Sequence, residues 1–407
     1  MTSPAYPIQD KQEKQSVWRF IFQELKPRGK WLTPFNIISL PVILVGLGLI
    51  VLRFTNGLGA VSNVSQDIPW GLWKGFNVVT GVAFAGGAYV LTFIVYILRV
   101  KKYESIVRVT VLNGFLAYMF YAGALVLDLG KPWNIFNPLI GNSFGASSVL
   151  FLVAWHFMLY IVAQFLEFSP AIAEWINARK AHRILSGLTI GAVIFGITLS
   201  TLHQSGLGAL FLMAKEKIHP LWYSEFIPLL FLVSSVFAGL SMVIFEGSIS
   251  QKVFFNQITE ENRQARNKMV LSLSKICAYT LFAYLFMQII VLVHGQHLNL
   301  LTTPMGYWYL LEIIGFVVLP IFLFVFAYRN SSILLTRIAA IVTILGIILN
   351  RLNVSIIAFR WDAATHYVPS WMEIVISLAI IFIQIWIFRW VINRMPVIRK
   401  SPSWAKH

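Results

Sequence analysis

Residues 226–245 read FIPLLFLVSSVFAGLSMVIF, twenty residues without a charge, closed by Glu225 on one side and Glu246 on the other. A bilayer core about 30 Å thick takes about 20 apolar residues of helix to cross. Lipid offers backbone amides no partners, so helix is the form such a run must take there. Reading outward in both directions finds nine more runs of this kind. The ten lie near 35–54, 75–99, 107–128, 147–167, 184–204, 225–246, 269–293, 308–328, 333–357 and 372–393. The loops between them are too short for a soluble catalytic domain. The expectation is an all-α polytopic membrane protein with about ten transmembrane helices.

Composition agrees. Of 407 residues, 58% are hydrophobic and 12% charged, against about 25% charged in soluble domains. That excludes a soluble globular enzyme, a disordered chain, a collagen and a disulfide scaffold. The one cysteine, Cys277, allows neither an intramolecular disulfide nor an iron–sulfur cluster of the chain's own. A formal charge of +16 would suggest nucleic acid on a soluble protein. On a membrane protein it is read through the loops, and no nucleic-acid partner is expected. The polar start of the chain, with KQEKQ (11–15) and KPRGK (26–30), does not read as a cleavable signal peptide.

Basic residues orient the helices, because cytoplasmic loops accumulate Lys and Arg. With the N-terminus inside, the inner segments hold 24 of the 32 Lys and Arg, the outer ones six, and Lys275 and Arg351 remain within spans. Both termini are therefore expected in the cytoplasm, with residues 1–34 and 395–407 as cytoplasmic segments around a membrane domain at 35–394. Trp70, Trp73, Trp133, Trp222, Trp308, Trp361 and Trp371 fall near outer ends, as an interfacial belt.

The opening run also carries a repeat. Its SVFAGLSMV (235–243) resembles VAFAGGAYV (82–90), and TLHQSGLGALF (201–211) resembles RLNVSIIAF (351–359), at offsets of 153 and 150. Two four-helix bundles are predicted, about 72–204 and about 225–357, running parallel and related by an axis along the membrane normal. The first and tenth spans are peripheral.

Charges at membrane depth cost about 2.5–3.5 kcal/mol or more and call for a partner or a role. An outer set comprises Asp128, His203, Gln204 and Arg351, with Tyr121 seven residues before Asp128 on one helix face, Trp70 at the rim, and His294 ending the seventh span. Asp128 with Arg351 is either a structural pair or part of a site. Glu312 and Glu373 are expected in wet headgroups. An inner set starts with His156, Tyr160, Gln164 and Glu167, which fall in one sector of the fourth span. Glu246 and Lys275 lie on the same side. The stripe fits a proton relay and equally interhelical hydrogen-bonded packing. A Glu246–Lys275 ion pair is the plainer reading.

Quinone chemistry moves two electrons and two protons. Histidine and carboxylate can pass protons near neutral pH, and the outer set supplies them beside polar donors. His203 and His294 could share a level for one haem at helix ends, whereas a transmembrane haem pair does not fit. A secondary transporter is a further alternative, although its site is expected near the midplane. No metal site is expected.

The motifs IPWGLWKGF (68–76), LDLGKPWN (127–134), LEFSPA (166–171), LHQSGLGALF (202–211), IHPLW (218–222), IFEGS (244–248) and RLNVSIIAF (351–359) together resemble the NrfD/PsrC-type integral membrane subunits, most of all the HybB type of respiratory NiFe hydrogenases. The resemblance covers almost the whole chain. It implies two four-helix bundles with extra helices and a site for menaquinone or another quinone near the outer face, in a chain without haem or iron–sulfur cluster. It implies a periplasmic ferredoxin-like iron–sulfur partner and a catalytic subunit, a NiFe hydrogenase or a relative of one, in the bacterial inner membrane. By the resemblance the family's outer-face acid maps onto Asp128, its histidine onto His203, and its inner-side acids onto Glu167 and Glu246. Such a subunit is not an enzyme on its own.

Overall fold

The computed structural model describes residues 22–26, 32–66, 68–140, 145, 147–253, 260–398 and 401–405. Of the basic residues used for topology, Lys11, Lys14, Arg19, Arg28, Lys30, Arg399, Lys400 and Lys406 lie outside them. Among the described residues, ten helices are long and apolar enough to cross a membrane. They are α1 (Pro34–Asn56), α2 (Trp73–Ile97), α3 (Lys101–Asp128), α4 (Val149–Trp175), α5 (Arg179–Lys217), α6 (Ile227–Val253), α7 (Arg263–His294), α8 (Pro304–Arg329), α9 (Ile333–Ile357) and α10 (Trp371–Arg394). The chain is an all-α, multi-pass membrane protein. We call the side where α1 begins the near face and the opposite side the far face.

Local chemistry sets the helix ends. Thr33, Ser148, Thr303, Ser332 and Ser370 cap α1, α4, α8, α9 and α10 with side-chain oxygens that accept a first-turn amide, and Pro opens α1 and α8. Arg99, Asn177, Gln296 and Ser331 take φ between 49° and 56° just beyond α2, α4, α7 and α8. These left-handed turns end each helix and return the chain antiparallel within a few residues.

The helices form two rings. In the first, α2 packs on α3, α3 on α4, α4 on α5, and α5 back on α2. In the second, α6 packs on α7, α7 on α8, α8 on α9, and α9 back on α6. The rings meet along α2 and α6, flanked by α5 against α6 and α9 against α2. The stretches that share the repeated pattern are the ones in contact. A Cβ on Gly87 would stand 2.6 Å from the Gly239 carbonyl oxygen, and one on Gly86 would stand 2.7 Å from that of Ser235. Tyr89 Oη hydrogen-bonds Ser235 Oγ at 2.8 Å. Gly86 and Gly239, which stand at the 153-residue offset, lie side by side at this contact.

Outside the rings, α10 lies along α1. Gly46 admits the side chain of Ala379. Trp386 Nε1 donates to Ser39 Oγ at 2.9 Å and Arg389 Nη1 to Asn36 Oδ1 at 2.9 Å.

Several spans contain wide π-turns: Trp73–Thr80 and Phe93–Ile97 in α2, Tyr118–Ala122 in α3, Ile314–Val318 in α8 and Asn353–Ile357 in α9. Such turns are frequent at functional sites. Here they carry Lys74, Tyr118, Tyr121 and Asn353.

Candidate functional site

At the far end of the first ring, α3 ends in Asp128, whose carboxylate is buried against Lys74 at 2.6 Å. Arg53 closes this corner by donating Nε to the Leu127 carbonyl at 2.6 Å and Nη2 to the Leu129 carbonyl at 2.5 Å. Tyr121 packs on Gly81 of α2, where a Cβ would stand 2.6 Å from its ring. Tyr121 and Asp128 thus both face α2, at partners seven residues apart. Trp70 stacks on Phe211 at 4.8 Å and reaches Phe359 at 6.2 Å.

Deeper in this ring lies His203, buried. Its Nδ1 donates to the Val153 carbonyl at 3.1 Å, which leaves Nε2 as an acceptor with no protein partner. Tyr118 and Phe157 flank the imidazole at 5.6 and 5.9 Å. Gln204 donates to the Val82 carbonyl at 2.9 Å and so ties α5 to α2. Below His203 a column of polar side chains continues toward the near face. Tyr118 meets Tyr160 edge-on at 4.5 Å, and Gln164 Nε2 donates to Tyr160 Oη at 3.1 Å. Tyr118 Oη, Ser200 Oγ, Gln164 Oε1 and Glu167 Oε1 are buried without protein hydrogen bonds. Interior polar atoms of this kind are places for water. Glu167 lines a near-face cleft of about 290 Å³ together with Arg108 and Tyr96. His156 is half-buried on the same helix, its Nδ1 unpaired.

Arg351 belongs to the other ring. It donates to Asn350 Oδ1 at 2.8 Å and Ser234 Oγ at 2.6 Å, and its guanidinium lies 3.6 Å over the Phe231 ring. No hydrogen bond or ion pair joins it to Asp128 or His203 among the described residues, so of the two readings of Asp128 with Arg351 the structural pair is not formed. Helix α9 aims Arg351 into the second bundle, while Asp128 closes the first.

The two carboxylates expected in wet headgroups are buried instead. Glu312 accepts from Trp222 Nε1 at 2.8 Å, Asn350 Nδ2 at 2.7 Å and Asn353 Nδ2 at 2.5 Å. Glu373 caps α10, and accepts from Ser62 Oγ at 2.9 Å and Tyr367 Oη at 2.5 Å. The cause is the far-face loops, which fold back over the helix ends. Trp73 and Trp222, expected in the interfacial belt, are buried donors to Glu373 and Glu312, whereas Trp133, Trp361 and Trp371 are exposed. Ile218 and Phe359 form an isolated antiparallel bridge across this cap. His219 sits there between Trp222 and Trp361, and its Nδ1 accepts from the Leu221 amide at 3.2 Å. Burial first, and then the charge of His297, push the His219 pKa below the ordinary imidazole value. Burial, aided by Glu373, raises that of the Tyr367 hydroxyl. His294 lies edge-on to Phe226 at 6.0 Å.

The plainer alternative, a Glu246–Lys275 ion pair, is not formed among the described residues. Both carboxylate oxygens of Glu246 accept from Asn113 Nδ2 of α3 at 2.7 Å. Lys275 is exposed, its ammonium 5.7 Å from the Tyr279 and Tyr328 rings. A long flexible stem lets the ammonium keep to the outside of the bundle. The near face instead holds a cluster the sequence reading missed. Arg108 grips Glu174 with two 2.8 Å bonds, and His182 adds one at 3.1 Å. Lys74, Tyr118 and Ser234 were also missed. Their signal was weak, since none is unusual alone and each matters through a residue distant in sequence.

Among the described residues no group of three or more His, Cys, Asp and Glu is placed to hold a metal ion. The family model described as "Polysulphide reductase, NrfD" matches residues 60–360. A Nitratidesulfovibrio vulgaris protein is 42% identical over 375 residues, 92% of this chain and 96% of its own. The Escherichia coli "probable Ni/Fe-hydrogenase 2 b-type cytochrome subunit" is 30% identical over 373 residues, 91% of this chain and 94% of its own. A selenate reductase subunit of Mesobacillus selenatarsenatis is 24% identical over 244 residues, 52% of this chain and 55% of its own.

Proposed function

This chain belongs to the NrfD family, and from that membership we propose that it is the quinone-reactive membrane subunit of a respiratory oxidoreductase complex. The observation that carries the reading is His203. A neutral imidazole with a bare, buried Nε2 heads a polar column that descends through Tyr118, Tyr160 and Gln164 to Glu167. Such a group can hand a proton to, or take one from, an oxygen on a membrane-dissolved ring. Asp128, Gln204, Tyr121 and Trp70 surround the far-face approach. Menaquinone or another quinone is the substrate, and takes up two electrons and two protons to become the quinol.

The relatives' names, a hydrogenase subunit and a selenate reductase subunit, support a place in a redox complex with partner subunits. A catalytic subunit and an iron–sulfur subunit at the far face would exchange the electrons. The excess of basic residues argues that the near face and both termini lie on the cytoplasmic side of the inner membrane. The polar column, with His156 beside it and Glu246–Asn113 near its lower end, gives protons a route from that side, which would make turnover energy-conserving.

The name of the E. coli relative favours a second reading, a b-type haem. A haem would take His203 Nε2 as one axial ligand and need a second from elsewhere, whereas the quinone reading uses Nε2 as a proton-exchanging group. An absorption spectrum of the reduced complex decides between the two.

The test of the main reading is His203→Ala in the whole complex. Quinone reduction should be lost while the complex stays assembled and the catalytic partner still reduces a soluble dye. Quinone turnover at the wild-type rate in that variant would sink the proposal.

A further inference from the structure

The run MVLSLSKICAYTLFAYLF (269–286) puts one charge, Lys275, inside an otherwise uncharged stretch of α7. A charge within a span calls for water or a partner. Lys275 turns outward instead of into the bundle. It is exposed, and among the described residues no carboxylate lies within ion-pairing distance of it. Glu246, the acid on its side, is held by Asn113.

Helix α8 shows at what level the ammonium stands. It ends at Arg329, and the ammonium lies 5.7 Å from the ring of Tyr328, one residue earlier. Helix α7 rises from the near face, so its side chains lean back toward that face. The ammonium thus sits where α8 leaves the hydrocarbon and headgroup phosphates begin. The Tyr279 ring is equally close, at 5.7 Å. Both tyrosines are exposed, as residues of an interfacial belt are. Among the described residues no hydrogen bond ties either hydroxyl to the chain. Arg329 is exposed at the same end. Deeper along α7, Phe282 and Phe286 are exposed within about 20° of Lys275 around the helix.

This surface presents uncompensated positive charge and hydroxyl donors at headgroup level, beside an apolar track. It lies on the outside of the second ring, open to the bilayer, and needs no cavity. Its complement is an anion with several acceptor oxygens, carried on a hydrocarbon tail. A zwitterionic headgroup brings its own ammonium and matches less well.

We propose that the near-face end of the α7–α8 seam binds an anionic phospholipid, with its phosphate on Lys275 and the hydroxyls of Tyr279 and Tyr328 and one acyl chain along Phe282 and Phe286. The site is independent of the reading of His203, which lies in the first ring.

The test uses the purified complex in nanodiscs of phosphatidylcholine, doped with a phosphatidylglycerol that carries a photoreactive acyl chain. Labelled peptides are identified by mass spectrometry. Wild type should be labelled within 275–286. Unlabelled phosphatidylglycerol should compete, while phosphatidylethanolamine and inorganic phosphate should not. Lys275→Gln should lower that labelling about fivefold, the worth of one basic residue at an anionic surface, and Lys275→Arg should restore it. Tyr279→Phe combined with Tyr328→Phe removes only two hydroxyls, provides the second variant and should lower labelling as well. Lys180→Gln removes a charge at the near end of α5 and should leave labelling unchanged. Equal competition by phosphatidylethanolamine, or labelling that survives Lys275→Gln, overturns the proposal. Competition by inorganic phosphate would mark a site for a soluble anion and overturns the lipid.

Discussion

Gly87 of α2 and Gly239 of α6 touch backbone to backbone, since a Cβ on Gly87 would stand 2.6 Å from the Gly239 carbonyl oxygen. Backbone cannot move aside as a side chain can. Close glycine contacts of this kind let membrane helices approach where the hydrophobic effect gives them no drive. The joint between the bundles therefore depends on hydrogen in place of methyl.

Gly239→Leu should cost about 3 kcal/mol of stability, the upper range for overpacking. In detergent it should unfold at lower temperature and yield less folded protein. Gly191→Ala, at a position with nothing within 4 Å, should unfold like wild type. Equal thermal curves for the two would refute the close joint.

Glu312 gathers three donors on α9 and the cap. Glu312→Ala leaves them buried with no acceptor, at about 1–3 kcal/mol for each unsatisfied group. A large fall in thermal stability and altered tryptophan emission should accompany it. Glu312→Gln, which keeps one oxygen, should be milder.

Glu174 lies at the near face between Arg108 and His182. Glu174→Gln breaks the two-pronged bond to Arg108 and should cost about 3 kcal/mol, the low end for a buried pair, because Arg108 is partly exposed. The expected readout is faster hydrogen exchange around 174–182 with the far face unchanged.

His219 gives the fold a pH response. Its folded pKa lies below the ordinary imidazole value because of burial, so the unfolded chain binds the extra proton first. Stability of the cap is full above about pH 6.5 and falls as pH drops below it. Protonation also takes Nδ1 away from the Leu221 amide. Hydrogen exchange at 218–222 should speed up toward pH 5, and His219→Gln should flatten the dependence. A wild-type cap indifferent to pH over that range would contradict the assignment.

The ten spans were legible because apolar run length has one meaning in a bilayer. The close contact of α2 with α6 was foreshadowed because it needs small residues, and glycine is visible in a sequence. The surroundings of the polar residues were not. Glu312 and Glu373 looked like rim residues because hydropathy counts distance along one helix, while their burial comes from loop residues such as Ser62, Trp222 and Tyr367 that fold over them. Asp128 and Arg351 looked like partners because both sit late in their spans. Position along a span can be read from the sequence, but which bundle each one faces depends on helix rotation and π-turns. The Tyr121–Asp128 relation survived, since both residues face α2. Lys275 was placed in the interior by position alone, although a lysine can reach the outside of its helix.

The pairing of α1 with α10 bears on biogenesis. A ribosome delivers α1 first and α10 last among the spans. In between, α1 waits in the lipid with Ser39, Asn36 and the notch at Gly46 unmatched, until Trp386, Arg389 and Ala379 arrive. A chain interrupted after α9 would carry both rings and a first helix tied to them at its far end through Arg53, with the face meant for α10 still turned to lipid.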